Sequence, residues 1–226
     1  MILITGASSG IGKFLFEKFI DSGEKVYGTY LNSPPPLRYK DLFTSVDVSN
    51  YESVDKWIST ISKDTNIVLI NCAGINYNSF AHKADVDNWK KIIDVNLTGT
   101  FNVIRATLPL MRDNNYGRII NLSSVVAQLG VPGTSAYAAS KSGLNGLVKA
   151  ISKENAEKGI TINNLNLGYF DLGIIREVPI EMRDKLKETI PNKEFGHPID
   201  IYNSILTLID SSYINGTSID INGGLY

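Results

Sequence analysis

Short apolar runs alternate along the chain with longer stretches in which apolar residues recur at helical spacing. Ile2 to Ile4, Lys25 to Tyr30, Leu42 to Val46, Ile67 to Ile70, Ile119 to Leu122, Gly159 to Leu167 and Thr217 to Ile221 read as strands. The unbroken run from Ile67 to Ile70 is what a strand covered on both faces requires. Between these runs, Ile11, Phe14, Leu15, Phe19 and Ile20 share one helix face, as do Val54, Trp57, Ile58 and Ile61. Trp89, Ile92, Ile93, Leu97, Phe101, Ile104 and Leu108 predict one long helix. Leu144, Leu147, Val148 and Ile151 predict another, and Ile201, Ile205, Leu206 and Ile209 a last one after His197. Ser49-Asn50-Tyr51-Glu52 has the form of a capping box. Pro34, Pro35 and Pro36 cannot continue a helix and predict a short extended loop, a ligand for a polyproline-binding domain being the alternative. Strands alternating with helices, without repeats, predict a single α/β domain over residues 1–226. The expected architecture is a Rossmann-like, doubly wound parallel sheet of seven strands that binds ligands at the strands' C-terminal ends.

Two stretches carry chemistry. Tyr137 and Lys141 lie one helical turn apart, so a phenol and an ammonium project from the same face. A neighbouring cation stabilises a phenolate, which would let this tyrosine exchange a proton near neutral pH. Alone, the same spacing is as well met by an exposed pair on a helix. Ser124, at the end of an apolar run, can donate to a substrate oxygen. The second stretch is Thr5-Gly6-Ala7-Ser8-Ser9-Gly10-Ile11-Gly12, a glycine turn between a strand and a helix. Glycines let backbone approach a pyrophosphate, and a helix N-terminus offers it unpaired N–H groups.

A formal net charge of −1 removes bulk attraction to nucleic acid or anionic membrane. The one cysteine, Cys72, excludes an intramolecular disulfide and reads as a small buried side chain. With no secretion signal and no apolar stretch of about 18 residues, a cytoplasmic protein is expected. The glycosylation patterns at Asn96, Asn121 and Asn215 are then chance occurrences. His82 and His197 are far apart and have no acidic partner pattern, so no metal site is expected.

Taken together, the glycine turn, Asn71-Cys72-Ala73-Gly74, Asn96, Ser124, Tyr137 and Lys141 resemble the short-chain dehydrogenase/reductase family from Met1 to Tyr226. The resemblance implies hydride transfer between a nicotinamide cofactor and a carbonyl or secondary alcohol. It gives Ser124 the polarising role and Tyr137 the proton. Lys141 holds the ribose and favours the phenolate, while Asn96 bends its helix and anchors a relay water. It places the cofactor against Gly6, Ser8, Ser9, Gly10, Ile11 and Gly12, then Asn32 and Ser33, then Asp47 and Val48. Asn71, Ala73, Gly74, Tyr137, Lys141, Gly168 and Phe170 complete that set. For Asp47, a plain turn residue is an equal alternative. Leu167 and Leu172 depart from the proline and threonine of relatives, and residues 173–195 correspond to a mobile lid.

No carboxylate follows the second strand before Asp41, which favours NADP over NAD, with NAD possible and Arg38 the available cation. The C-terminal stretch from Ile214 to Gly224 is most similar to β-ketoacyl carrier-protein reductases, which receive their acidic carrier on two basic residues. Lys158 matches one and Asn115 stands at the other. A small-molecule or acyl-carrier substrate is expected, with no nucleic-acid or membrane partner. A reductase of small sugars or hydroxy compounds, a silent nucleotide-sensing protein and an interaction module are the rivals. Surplus apolar residues, Phe101, Ile104, Leu144 and Leu147, predict a homo-oligomer, a tetramer or dimer.

Overall fold

The computed structural model of the chain describes residues 1–63 and 65–226. Its strands are β1 (Ile2–Thr5), β2 (Val26–Tyr30), β3 (Phe43–Ser45), β4 (Ile67–Asn71), β5 (Gly117–Ser124), β6 (Ile160–Leu167) and β7 (Ser218–Ile221). Its helices are α1 (Gly10–Asp21), α2 (Tyr51–Ile58), α3 (Val86–Ile93), α4 (Gly99–Asp113), α5 (Val126–Leu129), α6 (Ser135–Asn155), α7 (Ile174–Glu177), α8 (Ile180–Thr189) and α9 (Pro198–Asp210). All seven strands pair in parallel in one sheet, in the order β3-β2-β1-β4-β5-β6-β7. The winding reverses between β1 and β4, so the crevice of this doubly wound fold opens where Thr5 and Asn71 end their strands.

Strand alternation sorts the apolar residues into two layers. Leu3, Leu69, Ile119 and Ile162 face Val54, Trp57, Val103, Ile104 and Val148 on α2, α4 and α6. Ile2, Ile4, Ile70, Ile120 and Leu165 face Phe16, Phe19, Ile201 and Ile205 on α1 and α9. Each fully buried side chain of this size contributes about 1.5–3 kcal/mol of transfer free energy. Ile104 and Leu144 belong to these interiors, at 0% and 1% exposure. They are therefore not the surface residues expected from their spacing; Phe101 is exposed and Leu147 half-buried.

Three local expectations are corrected. The prolines are followed by a 3-10 turn, Leu37–Leu42, rather than by extended chain alone, and Tyr39 in it packs edge-on against Phe16 at 5.2 Å. Ser49 does not cap α2: Asn50 does, its Oδ1 accepting from the Ser53 N–H at 3.0 Å, because the Ser49 hydroxyl donates to Asp47. The long helix expected from Trp89 to Leu108 is continuous but widens into a π turn over Asp94–Thr98. Asn96 sits inside that turn. His197 caps α9 as its position before Pro198 suggests. Among the described residues no helix is long and apolar enough to cross a membrane.

Candidate active site

The glycine turn is held down by β1 and β4 together. Thr5 Oγ1 accepts from the Cys72 and Ala73 N–H groups at 3.0 and 3.1 Å, drawing the two strand ends into one crevice wall. Gly6, at φ +62°, has no room for a side chain, since a Cβ there would lie 2.8 Å from the Ala73 Cα. A Cβ on Gly12 would run into the Gly6 carbonyl. The N-terminus of α1 that follows has neither a side-chain cap from Ser9 nor an acidic residue in its first turn. Its N–H groups and partial positive charge are left for an anion, which is the donor set a pyrophosphate needs. The residues present thus fit a dinucleotide. Gly173 at the start of the lid lies against this turn, its Cα 3.9 Å from the Cβ position of Gly10.

Further along the crevice the fit is uneven. Asn32 and Ser33 are exposed beyond β2. Arg38 is turned back onto α1, paired with Glu17 at 3.1 Å and stacked over Tyr39 at 4.6 Å. Asp47 accepts from the Ser49 N–H and hydroxyl at 2.9 and 2.6 Å, the geometry of a turn residue. Val48 is buried against Gly99. Gly168 abuts Asn222, and Phe170 is 4% exposed within the α1 and α9 layer. The Phe170 ring packs into this layer against Gly196, so only its backbone is left for a ligand.

The candidate catalytic side chains converge at the end of β5. Ser124 lies close enough to Tyr137 to bear on its phenol, and its Oγ accepts from the Val126 N–H at 3.2 Å. Lys141 is 7% exposed; its ammonium donates to the Leu122 carbonyl at 2.6 Å and stands 5.7 Å from the centre of the Tyr137 ring. Burial pushes the Tyr137 phenol above its ordinary range, with Ser124 pulling the other way. Burial also pulls Lys141 down to about 8. Desolvation by burial, rather than a lowering by Lys141, is the dominant influence on the phenol. Tyr137 holds its proton at neutral pH, the form that donates to a carbonyl oxygen. The Cys72 thiol is pushed up to about 12 by burial, which removes it as a nucleophile.

Asn96 is fully buried behind this group. Its Oδ1 accepts from the Ile75 N–H at 2.8 Å, and its Nδ2 donates to the Ile75 carbonyl at 2.9 Å and the Ser140 hydroxyl at 3.3 Å. The π turn is what swings it toward α6. A Cβ on Gly74 would sit 3.3 Å from that Oδ1 and 3.9 Å from the Lys141 Nζ, so Asn71 to Gly74, Asn96 and Lys141 form one continuous surface. The sequence reading passed over Thr5, whose clamp joins the strands, and the asparagines of β6, whose density in a buried strand was the available signal. Among the described residues no group of three His, Cys, Asp or Glu side chains could hold a metal. A cavity of about 250 Å³ lined by Met1, Lys25, Tyr27 and Trp57 contains none of these residues.

Comparison with known proteins agrees with this geometry. A family model described as short chain dehydrogenase matches residues 1–182. The acetoacetyl-CoA reductase of Shinella zoogloeoides is 33% identical over 234 residues, covering 99% of this chain and 97% of its own. Nodulation protein G of Azospirillum brasilense is 32% identical, with 99% and 96% covered. The 3-oxoacyl-acyl-carrier-protein reductase of Vibrio cholerae is 31% identical, again with 99% and 96% covered.

Proposed function

The chain belongs to the short-chain dehydrogenase family, and from that premise we propose that it reduces the 3-oxo group of an acyl thioester with NADP(H). It is an oxidoreductase acting on C=O and CH–OH groups. The observation that supports the reading is the meeting of Ser124 and Tyr137 at the end of β5, with the Lys141 ammonium buried 5.7 Å from the Tyr137 ring centre. When bound, the nicotinamide supplies the hydride. Ser124 then orients the carbonyl oxygen, and Tyr137 gives that oxygen its proton as negative charge develops there. Lys141 would hold the ribose and, from beside the Tyr137 ring, favour return of the proton to the tyrosine. Asn96 fixes the Ile75 backbone and Ser140 around it.

The close-packed glycine turn and uncapped α1 support a cofactor site in which Gly6, Ser8, Ser9, Gly10, Ile11 and Gly12 would hold the pyrophosphate and Asn71, Ala73 and Gly74 would lie beside the riboses. NADP is favoured because no carboxylate lies between Tyr30 and Asp41 to repel a 2′-phosphate. A thioester substrate is supported by the names of the relatives. One observation favours a small substrate over a carrier protein: only Lys158 of the expected basic pair is charged, Asn115 being neutral. We read the protein as a single-domain, cytoplasmic homo-oligomer, dimer or tetramer, packing through Phe101 and Leu147. Light scattering at micromolar concentration should give a mass above that of one chain.

The test is a carbonyl panel followed by absorbance of the reduced nicotinamide, with 3-oxoacyl thioesters of coenzyme A and of a carrier protein beside small ketoses. Faster oxidation of NADPH than NADH with the thioesters is expected. Turnover confined to ketoses overturns the substrate class, and no turnover with any carbonyl leaves the nucleotide-sensing reading.

A further inference from the structure

Four asparagines form a line of side-chain hydrogen bonds through the interior. Asn71 of β4 donates from Nδ2 to Asn121 Oδ1 of β5 at 2.8 Å, and Asn121 donates to Asn164 Oδ1 of β6 at 3.1 Å. Asn164 donates in turn to Asn145 Oδ1 of α6 and to Ser218 Oγ of β7, both at 3.1 Å. Ser218 closes the end of the line by donating to the same Asn145 Oδ1 at 2.8 Å. Asn121 and Asn164 are both 0% exposed, so no solvent substitutes for these bonds. Every amide points the same way; turning any inner one would break two bonds at once.

The end of the line is what gives it a consequence. Tyr137, Lys141 and Asn145 occupy successive turns of one α6 face, about 6 Å apart along the axis at each step. The apolar residues of α6 that meet the sheet, Val148 and Ile151, bury area but do not fix the roll or the axial position of a helix. Directional hydrogen bonds at Asn145 do. Lys141 and the Ser123 hydroxyl, which donates to the Lys141 carbonyl at 3.4 Å, tie α6 to β5. Asn145 ties it to β6 and β7 one turn further on.

We propose that Asn164 and Asn145 are positioning residues, which set the roll of α6 against the sheet and so the placing of Tyr137 and Lys141 beside Ser124. The proposal rests on the reading that Tyr137 and Lys141 perform the chemistry. The amide line then joins the cofactor end of β4, where Asn71 stands, to the catalytic helix through side chains alone. A misplacement of about 1 Å at a reacting group costs up to about a hundredfold in rate.

The experiment compares Asn145→Leu, Asn164→Leu and the double variant with Asn145→Asp, which keeps an acceptor for both the Asn164 amide and the Ser218 hydroxyl. Each leucine variant should lower kcat about tenfold, and the dissociation constant for NADPH, read by its fluorescence, should rise by less than that, since a displaced Lys141 also loosens its hold on the ribose. The double variant should be no slower than the worse single one, because the bond is shared. Asn145→Asp should recover most of the rate. The Trp89 indole donates to the Ser135 hydroxyl at the start of α6 at 3.3 Å, so its emission should shift in the leucine variants and return with aspartate. Folded leucine variants with unchanged kcat and lowered melting temperature would make the line purely structural and overturn the proposal. If a leucine variant does not fold, Ser218→Ala, at the partly exposed end, decides: an unchanged rate and Trp89 emission overturn it. Tyr137→Phe is the separate control, since full turnover in that variant sinks the catalytic reading itself.

Discussion

The two walls of the crevice are built by opposite means. The wall at β1 and α1 is backbone: Gly6 and Gly12 leave no space for a Cβ, and α1 begins without cap or acid. The wall at β5 and α6 is side chain: Ser124, Tyr137 and Lys141 meet in a desolvated cluster, backed by Asn96. The first wall works by absence of atoms, so adding a methyl group breaks it. The second works by particular polar atoms, so removing one breaks it. Binding and turnover should therefore separate between the walls.

The largest effect is expected from Tyr137→Phe. It removes one hydroxyl from the side-chain wall and should lower kcat by about 10² to 10⁴, with NADPH binding nearly unchanged. Stopped-flow kinetics beside fluorescence titration make that measurement; parallel loss of both would erase the contrast. The mirror experiment is Gly12→Ala on the backbone wall. Its Cβ meets the Gly6 carbonyl, an overpacking cost of about 1–3 kcal/mol, so cofactor affinity should fall by roughly ten- to a hundredfold. Turnover at saturating NADPH should remain.

The side-chain wall should also show itself in pH-dependent stability. Lys141 falls from 10.5 to about 8 on burial, so above pH 8 the folded chain releases a proton that the unfolded chain keeps until 10.5. Stability then rises with pH, at up to about 1.4 kcal/mol per unit. Cys72 opposes this from pH 9, because its unfolded thiol ionises at 9.0 while the folded one holds its proton to about 12. Tyr137, raised from 10.0, adds to that opposition at higher pH. Denaturation midpoints should climb between pH 8 and 9, level off, and decline above 10, while their excess over Lys141→Met should climb from pH 8 to 10.5 and then hold. The smallest effect concerns cofactor choice. Glu17→Gln releases Arg38 from an exposed pair of about 0.2–1 kcal/mol, and should tighten NADPH binding up to about fivefold without changing NADH. An unchanged ratio of the two would remove Arg38 from the preference.

The sequence determined the strand order in time and the location of the chemistry. Unbroken runs such as Ile67 to Ile70 are what doubly covered strands require, and glycines between a strand and a helix suit close approach to a phosphate. Tyr137, Lys141 and Ser124 were legible because helical spacing and a strand end fix where their side chains point. Contacts between segments distant in the chain were not legible. That Ile104 and Leu144 are interior while Phe101 is not depends on which neighbours cover α4 and α6. The environment of the Tyr137 and Lys141 pair was not legible for the same reason: helical spacing puts a cation near a phenol, as the 5.7 Å approach shows, but the burial that raises one group and lowers the other comes from the elements packed around α6. The widening of the helix at Asn96 and the amide line from Asn71 to Asn145 exist only once four separate segments have met. Periodicity reports which side of an element turns inward, but desolvation and hydrogen-bond partners belong to the assembled interior, and it is these that set a site's chemistry.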